Sequence, residues 1–233
     1  MMSSVAENLS IINRQIRAAC SRSGRDAAEV SLIGVTKTVS VNRIREGVEA
    51  GVGILGENYV REAVHKMQAL SDLTVSWHFI GHLQSNKAKM ALEAFACIQT
   101  VDRESLAREL NRAALKAGKR IPVLIQVNTG YEESKSGLAP EVLFPFFDVV
   151  SSLDGLEARG LMALPPYFDD PEEVRPHFRH LRELLVRLRD RTAMPERLSE
   201  LSMGMSHDFE VAIEEGATMV RVGTALFGTR PTS

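Results

Sequence analysis

Eight short apolar, β-branched runs recur along this 233-residue chain, and a longer stretch with helical spacing separates most of them from the next. The runs are "EVSLIGVTK" (29–37), "GILGEN" (53–58), "SWHFIG" (76–81), "CIQTV" (97–101), "PVLIQVN" (122–128), "LEARGLMAL" (156–164), "LSELSMG" (198–204) and "MVRVGTA" (219–225). Strands that alternate with helices pair in parallel, because a parallel neighbour needs a crossover of a dozen or more residues. Eight such units predict an α/β fold, a (β/α)8 TIM barrel, ahead of the doubly wound open sheet that shares most of its local signals. An extra helix is expected first, over about residues 2–23, where Val5, Leu9, Ile12, Ile16 and Ala19 recur on one face. The barrel is expected over about 29–228. No Pro/Gly/Ser linker or composition shift divides residues 1–233, which read as a single domain.

The clearest helix is "PEEVRPHFRHLRELLVRLRDR", where Val174, Phe178, Leu181, Leu185 and Leu188 form one stripe. Its opposite face carries Arg175, Arg179, Arg182 and Arg189 and reads as solvated. A net charge of −2 gives no basic field to hold a nucleic acid or an acidic membrane surface. Cys20 and Cys97 stand far apart with no CxxC or Cys/His cluster, which argues against zinc and against a disulfide framework. Reduced thiols, an N-terminus without a signal-peptide run and no membrane-length apolar window point to a cytoplasmic protein.

Barrel chemistry gathers at the C-terminal ends of strands. Lys37 ends the first run and interrupts an apolar stretch; Asn58 ends the second; Ser206 and Arg221 to Thr224 leave the seventh and eighth. "LSMGMSHDF" runs from a strand through small residues to an expected helix start at Ser206, whose hydroxyl would cap while first-turn N–H groups bind an anion. "RVGTALFG" repeats that arrangement, with Gly223 admitting close backbone approach and Thr224 adding a donor. A lysine facing a phosphate cradle suggests a phosphorylated carbonyl compound held as a Schiff base. A sugar-phosphate aldolase and a protein holding pyridoxal 5′-phosphate (PLP) both fit those parts. Arg221 favours the second, since its side chain is placed to reach a cofactor ring nitrogen across the mouth.

The motifs "VTKT", "GENYV", "WHFIGHLQSNK", "SKSGL", "GLMALPP", "LSMGMSHDFEVAIEEGAT" and "VRVGTALFG", in this order, closely resemble the pyridoxal phosphate homeostasis proteins, relatives of the N-terminal barrel of alanine racemase. The resemblance spans about residues 29 to 228, with Gly130 and Arg61 as small departures. It implies PLP bound covalently to Lys37, Arg221 facing the pyridine nitrogen, Ser206 with Gly223 and Thr224 on the phosphate, and Asn58 beside the cofactor. His78 and His82 receive no role, and no residue is assigned to a metal or named as catalytic.

A guanidinium at the ring nitrogen donates a hydrogen bond and leaves a weak electron sink, whereas enzymes needing a strong sink place a carboxylate there. Racemases of the resembling fold use arginine too, but add a tyrosine from a separate domain of a partner subunit. The sequence ends at Ser233, directly after the barrel, and Tyr59, Tyr131 and Tyr167 are not placed as that base. The expectation is therefore a monomeric PLP carrier acting in cofactor homeostasis and delivery to PLP-dependent apo-enzymes, with an amino-acid racemase as the alternative.

Overall fold

The computed structural model describes residues 4–132 and 136–228. Residues 2 and 3 of the expected first helix, Ser134 and Lys135 of "SKSGL" and the chain end at 229–233 lie outside the described residues.

Eight strands close into one barrel in sequence order: β1 (Ser31–Val35), β2 (Ile54–Glu57), β3 (Ser76–Phe79), β4 (Cys97–Val101), β5 (Ile121–Val127), β6 (Leu156–Ala163), β7 (Glu200–Ser202) and β8 (Met219–Val222). Every pairing is parallel, and β8 returns to β1 with Ile33 beside Arg221. Six of the strands are shorter than their apolar runs, and β4 and β5 are as long as theirs. Ala27–Glu29 forms a 3-10 turn capped by Asp26, so β1 starts at Ser31, and Gly223 turns the chain out of β8 before residue 224.

Outside the barrel lie α1 (Val5–Arg22), α2 (Val41–Glu49), α3 (Val60–Ala69), α4 (Ala88–Ala94), α5 (Glu104–Lys116), α6 (Leu143–Ser151), α7 (Arg175–Arg189), α8 (Phe209–Glu214) and α9 (Thr224–Phe227). The first helix opens on a capping box: Ser4 Oγ accepts from Glu7 N at 3.2 Å, and Glu7 Oε2 accepts from Ser4 N at 2.9 Å. Its expected stripe of Val5, Leu9, Ile12, Ile16 and Ala19 is buried, and the helix packs on α2, α8 and α9. No described helix is long and apolar enough to cross a membrane.

The arginine face of α7 is not simply solvated. Arg175, Arg179 and Arg182 all reach Glu215, at 3.2, 3.0 and 3.2 Å, and Arg175 also holds Glu214 at 2.7 Å. Glu215 is nearly buried at the end of α8, where a lone carboxylate is costly, so these cations serve as its counter-charge.

Two apolar regions result from the period-two alternation of strand side chains. Ile98, Val123, Ile125, Leu161, Leu201, Val220 and Val222 face the helices in one continuous core. Cys97, Leu124 and Met162 point the other way and form a small plug within the barrel. Both cysteines are buried free thiols, and burial pushes that of Cys97 up to about 12, which keeps it unreactive.

Gly160 marks the tightest passage in the sheet. Its φ is 155°, and a Cβ there would lie 1.8 Å from the carbonyl oxygen of Glu200, its partner across β6 and β7. Replacing it forces the two strands apart. Gly160→Ala is expected to lower the unfolding free energy by about 2 kcal/mol or more, read as an earlier urea midpoint at unchanged slope.

Candidate functional site

Strand parity decides which residues reach the barrel mouth. A Cβ on Gly56 would meet Ile33 and Ile80, so residues 33 and 56 face inward, whereas one on Gly34 would meet Val52 and Leu226 on the helix side. Carrying that alternation forward places Val35 and Lys37 inward from β1, Asn58 from β2 and Arg221 from β8. All four line one open cavity of about 390 Å³, with Ser206, Gly223 and Thr224 on its rim. The six residues singled out by sequence therefore share one cavity. Ile80 and Leu164 supply apolar walls, and Tyr167 and His207, with rings 5.2 Å apart, lie at the edge.

Lys37 is half-buried just beyond β1, and its Nζ has no hydrogen-bond or ion-pair partner among the described residues. It stands 5.8 Å from the ring centroid of Tyr59.

The role expected of the Ser206 hydroxyl is corrected. The helix begins three residues later, at Phe209, and Ser206 Oγ instead accepts from Gly223 N at 3.3 Å and Ala225 N at 3.4 Å. The reason is proximity: the first-turn amides of α9 are free donors, and Asp208 closes its own loop by accepting from Met205 N at 2.6 Å. One serine thus ties together the loops after β7 and β8, which form one cradle rather than two. Backbone N–H groups of Ser206, His207 and Thr224 have no acceptor among the described residues.

Behind the cavity, Arg221 heads a buried polar chain through the barrel. It donates from Nη2 to the Ala163 carbonyl at 2.8 Å and from Nη1 to Ser202 Oγ at 2.6 Å. Ser202 in turn donates to Gln99 Oε1 at 2.6 Å, and Gln99 Nε2 lies 2.9 Å from His78 Nδ1. The proton directions follow from one end. A guanidinium only donates, so Ser202 accepts there and passes its own proton to the Gln99 oxygen; the amide then donates, and His78 Nδ1 must accept. His78 is accordingly neutral with its proton on Nε2. Its pKa is pulled down by burial from the usual 6.5 to about 4, which agrees. Burial likewise draws Arg221 down to about 10, which leaves it charged at neutral pH.

Residues 8–231 match the family model described as the alanine racemase N-terminal domain. The chain is 47% identical over 224 residues to the pyridoxal phosphate homeostasis protein of Aquifex aeolicus, covering 96% of this chain and 97% of that one. With the protein of the same name from Escherichia coli it shares 40% identity over 232 residues, 98% of each chain. This chain belongs to the pyridoxal phosphate homeostasis protein family. Among solved structures, PipY of Synechococcus elongatus, with PLP bound, is 38% identical with a TM-score of 0.84 over 97% of this chain and 100% of its own. An alanine racemase of Clostridium difficile superposes with a TM-score of 0.71 at 16% identity, over 97% of this chain and 58% of its own, a likeness of fold.

Sequence reasoning for this family member left several site residues unnamed. Gln99 carries no motif signal and Ser202, though it lies within "LSMGMSHDF", received no role, because an uncharged polar residue inside a β-run looks like any solvent-facing one until the barrel closes around it. His78, unassigned from sequence, joins that chain, whereas His82 lies apart on a neighbouring recess, its Nδ1 3.2 Å from Ser136 Oγ.

The buried histidine makes stability pH-dependent. Between pH 4 and 6.5 the unfolded chain binds a proton that folded His78 refuses, so this contribution is complete above pH 6.5 and is lost as pH falls toward 4. His78→Asn keeps an acceptor for Gln99 but cannot titrate. Over that interval the stability of wild type relative to His78→Asn is expected to fall by about 3 kcal/mol, measured by urea unfolding at each pH; parallel curves would contradict the assignment.

Proposed function

We propose that this chain holds pyridoxal 5′-phosphate covalently, as a Schiff base on Lys37, and acts in the cytoplasm as a cofactor reservoir that supplies PLP-dependent apo-enzymes. In this reading one monomeric barrel domain does the work, and no residue is catalytic. The observation that carries it is the convergence on one cavity of about 390 Å³ of a charged guanidinium with an amine and backbone amides that have no hydrogen-bond partner among the described residues. The PLP-bound state of PipY, 38% identical, supports the same cofactor here.

The residues fit that group in chemistry as well as in place. The cofactor supplies an aldehyde that condenses with a lysine amine and releases water. The Lys37 Nζ, with no competing acceptor among the described residues, is free to attack it. Amides of Ser206, His207 and Thr224 present N–H groups to a phosphate, and the long bonds from Gly223 and Ala225 to Ser206 Oγ are ones an anion readily replaces. Asn58, Ile80 and Leu164 flank the space between lysine and cradle.

Arg221 argues for holding rather than turnover. Two of its five N–H groups are engaged by Ser202 and Ala163, which fixes the plane of the guanidinium and leaves the others for the cavity. Protonated at neutral pH, it donates to a ring nitrogen and does not protonate it, so electron withdrawal into the ring is weak. A racemase is the second reading, favoured by Tyr167 on the cavity edge and the Tyr59 ring beside Lys37.

Mixing the protein with PLP is expected to give a yellow species that borohydride bleaches, with the added mass on the Lys37 peptide and none in Lys37→Ala. A colourless protein would favour an aldolase, and mass on a different lysine would overturn the assignment. Loss of α-deuterium from labelled alanine or serine at roughly 1 s⁻¹ or faster would favour the racemase.

A further inference from the structure

A second lysine lies buried directly behind the site. Lys66, on the inner face of α3, is 6% exposed, and its ammonium has three acceptors: the Thr36 carbonyl at 2.5 Å, Glu57 Oε1 at 2.5 Å and Glu62 Oε1 at 2.6 Å. An ammonium has three N–H groups, so all are engaged and this amine does not compete for an aldehyde. The two carboxylates extend the network to the residues on either side of Lys37. Glu57 Oε1 accepts from Thr36 Oγ1 at 2.7 Å, and Glu62 Oε1 accepts from Thr38 N at 2.9 Å. Glu57 Oε2 also accepts from Asn58 N at 3.1 Å, so the same carboxylate anchors a second cavity residue.

Thr38 has a φ of 62°, a left-handed conformation that a β-branched residue adopts only when its surroundings enforce it. Here the enforcement is visible. Its N–H is held by Glu62 and its hydroxyl donates to the Lys37 carbonyl at 2.6 Å. That turn carries the chain away from β1 immediately after Lys37.

We propose that Glu62, together with the buried Lys66–Glu57 pair, is a positioning element for Lys37: it clamps residues 36 and 38 so that the amine is presented to the aldehyde. The inference rests on the assignment of the covalent link to Lys37. Glu62 is the accessible member, at the start of α3 with its side chain 30% exposed. Burial pushes its carboxyl up, but the hydrogen bonds from Lys66 and Thr38 N and the charges of Lys66 and Lys37 outweigh this and hold it below the usual range, hence ionised. Removing either Glu57 or Lys66 would strand a buried charge and unsettle the fold. Glu62→Gln keeps the shape and the helix start while weakening the hold on Thr38 N and Lys66.

The test compares PLP with pyridoxine 5′-phosphate, whose alcohol replaces the aldehyde, in equilibrium titrations of full-length protein. The alcohol reads cradle and ring contacts; its affinity relative to PLP reads the covalent link. Wild type is expected to prefer the aldehyde, and Lys37→Ala to lose that preference. In Glu62→Gln the alcohol should bind within about twofold of wild type, which also shows the variant folded, while the preference for PLP drops by about tenfold. An undiminished preference in Glu62→Gln, or parallel weakening toward both ligands, would overturn the clamp and leave the Lys37 assignment standing. A wild type without preference would overturn that assignment and the clamp with it.

Discussion

Closure of eight short parallel strands is the constraint on which the site depends. Along a strand, side chains alternate strictly, so every second residue of a closed barrel points into a shared interior too narrow for more than a few layers. Ile33, Val35 and Lys37 occupy successive inward positions of one segment, and Met219, Arg221 and Gly223 those of another. The interior is filled by a small apolar plug and the buried polar chain, and above them inward positions line the cavity. Chemistry at the mouth follows because only there does an inward side chain reach a cavity.

A guanidinium inside that interior demands compensation. Arg221 is 3% exposed, and a buried charge without partners would be expelled or neutralised. The chain through Ser202, Gln99 and His78 gives it oriented dipoles and accepts no second charge, since every proton direction is set by the arginine. The electrostatics of the cavity and the stability of the barrel interior are therefore one network. At the other wall the Lys66, Glu57 and Glu62 group does the equivalent for the backbone around Lys37. Both are polar devices beside a half-buried amine that has no hydrogen-bond or ion-pair partner among the described residues.

Much of this was legible in the sequence, for identifiable reasons. The apolar runs and the stripes of α1 and α7 are periodic signals, and periodicity survives ignorance of the partner. Lys37, Asn58 and Arg221 stood out as polar residues near strand ends. Ser206 was expected at the start of a helix that begins three residues later, and the partner of its hydroxyl was missed, because a serine before a helix has the same local pattern whether it caps that helix or a neighbouring one. The arginines of α7 looked solvated because nothing local reveals Glu215, which arrives from α8 some 40 positions after Arg175.

The sequence by itself determined the order of strands and helices, the buried stripe of the first helix and the segments that carry the candidate cofactor residues, since each depends on spacing within a few neighbouring residues. Only the tertiary structure decided which strand face turned inward, that the loops after β7 and β8 share one hydroxyl, and that Arg221, Ser202, Gln99 and His78 form a directed chain. Those relations join residues up to 143 positions apart, between His78 and Arg221. Hydrogen bonds and charge pairs act over a few ångströms, and which groups come that close is fixed only when the barrel shuts.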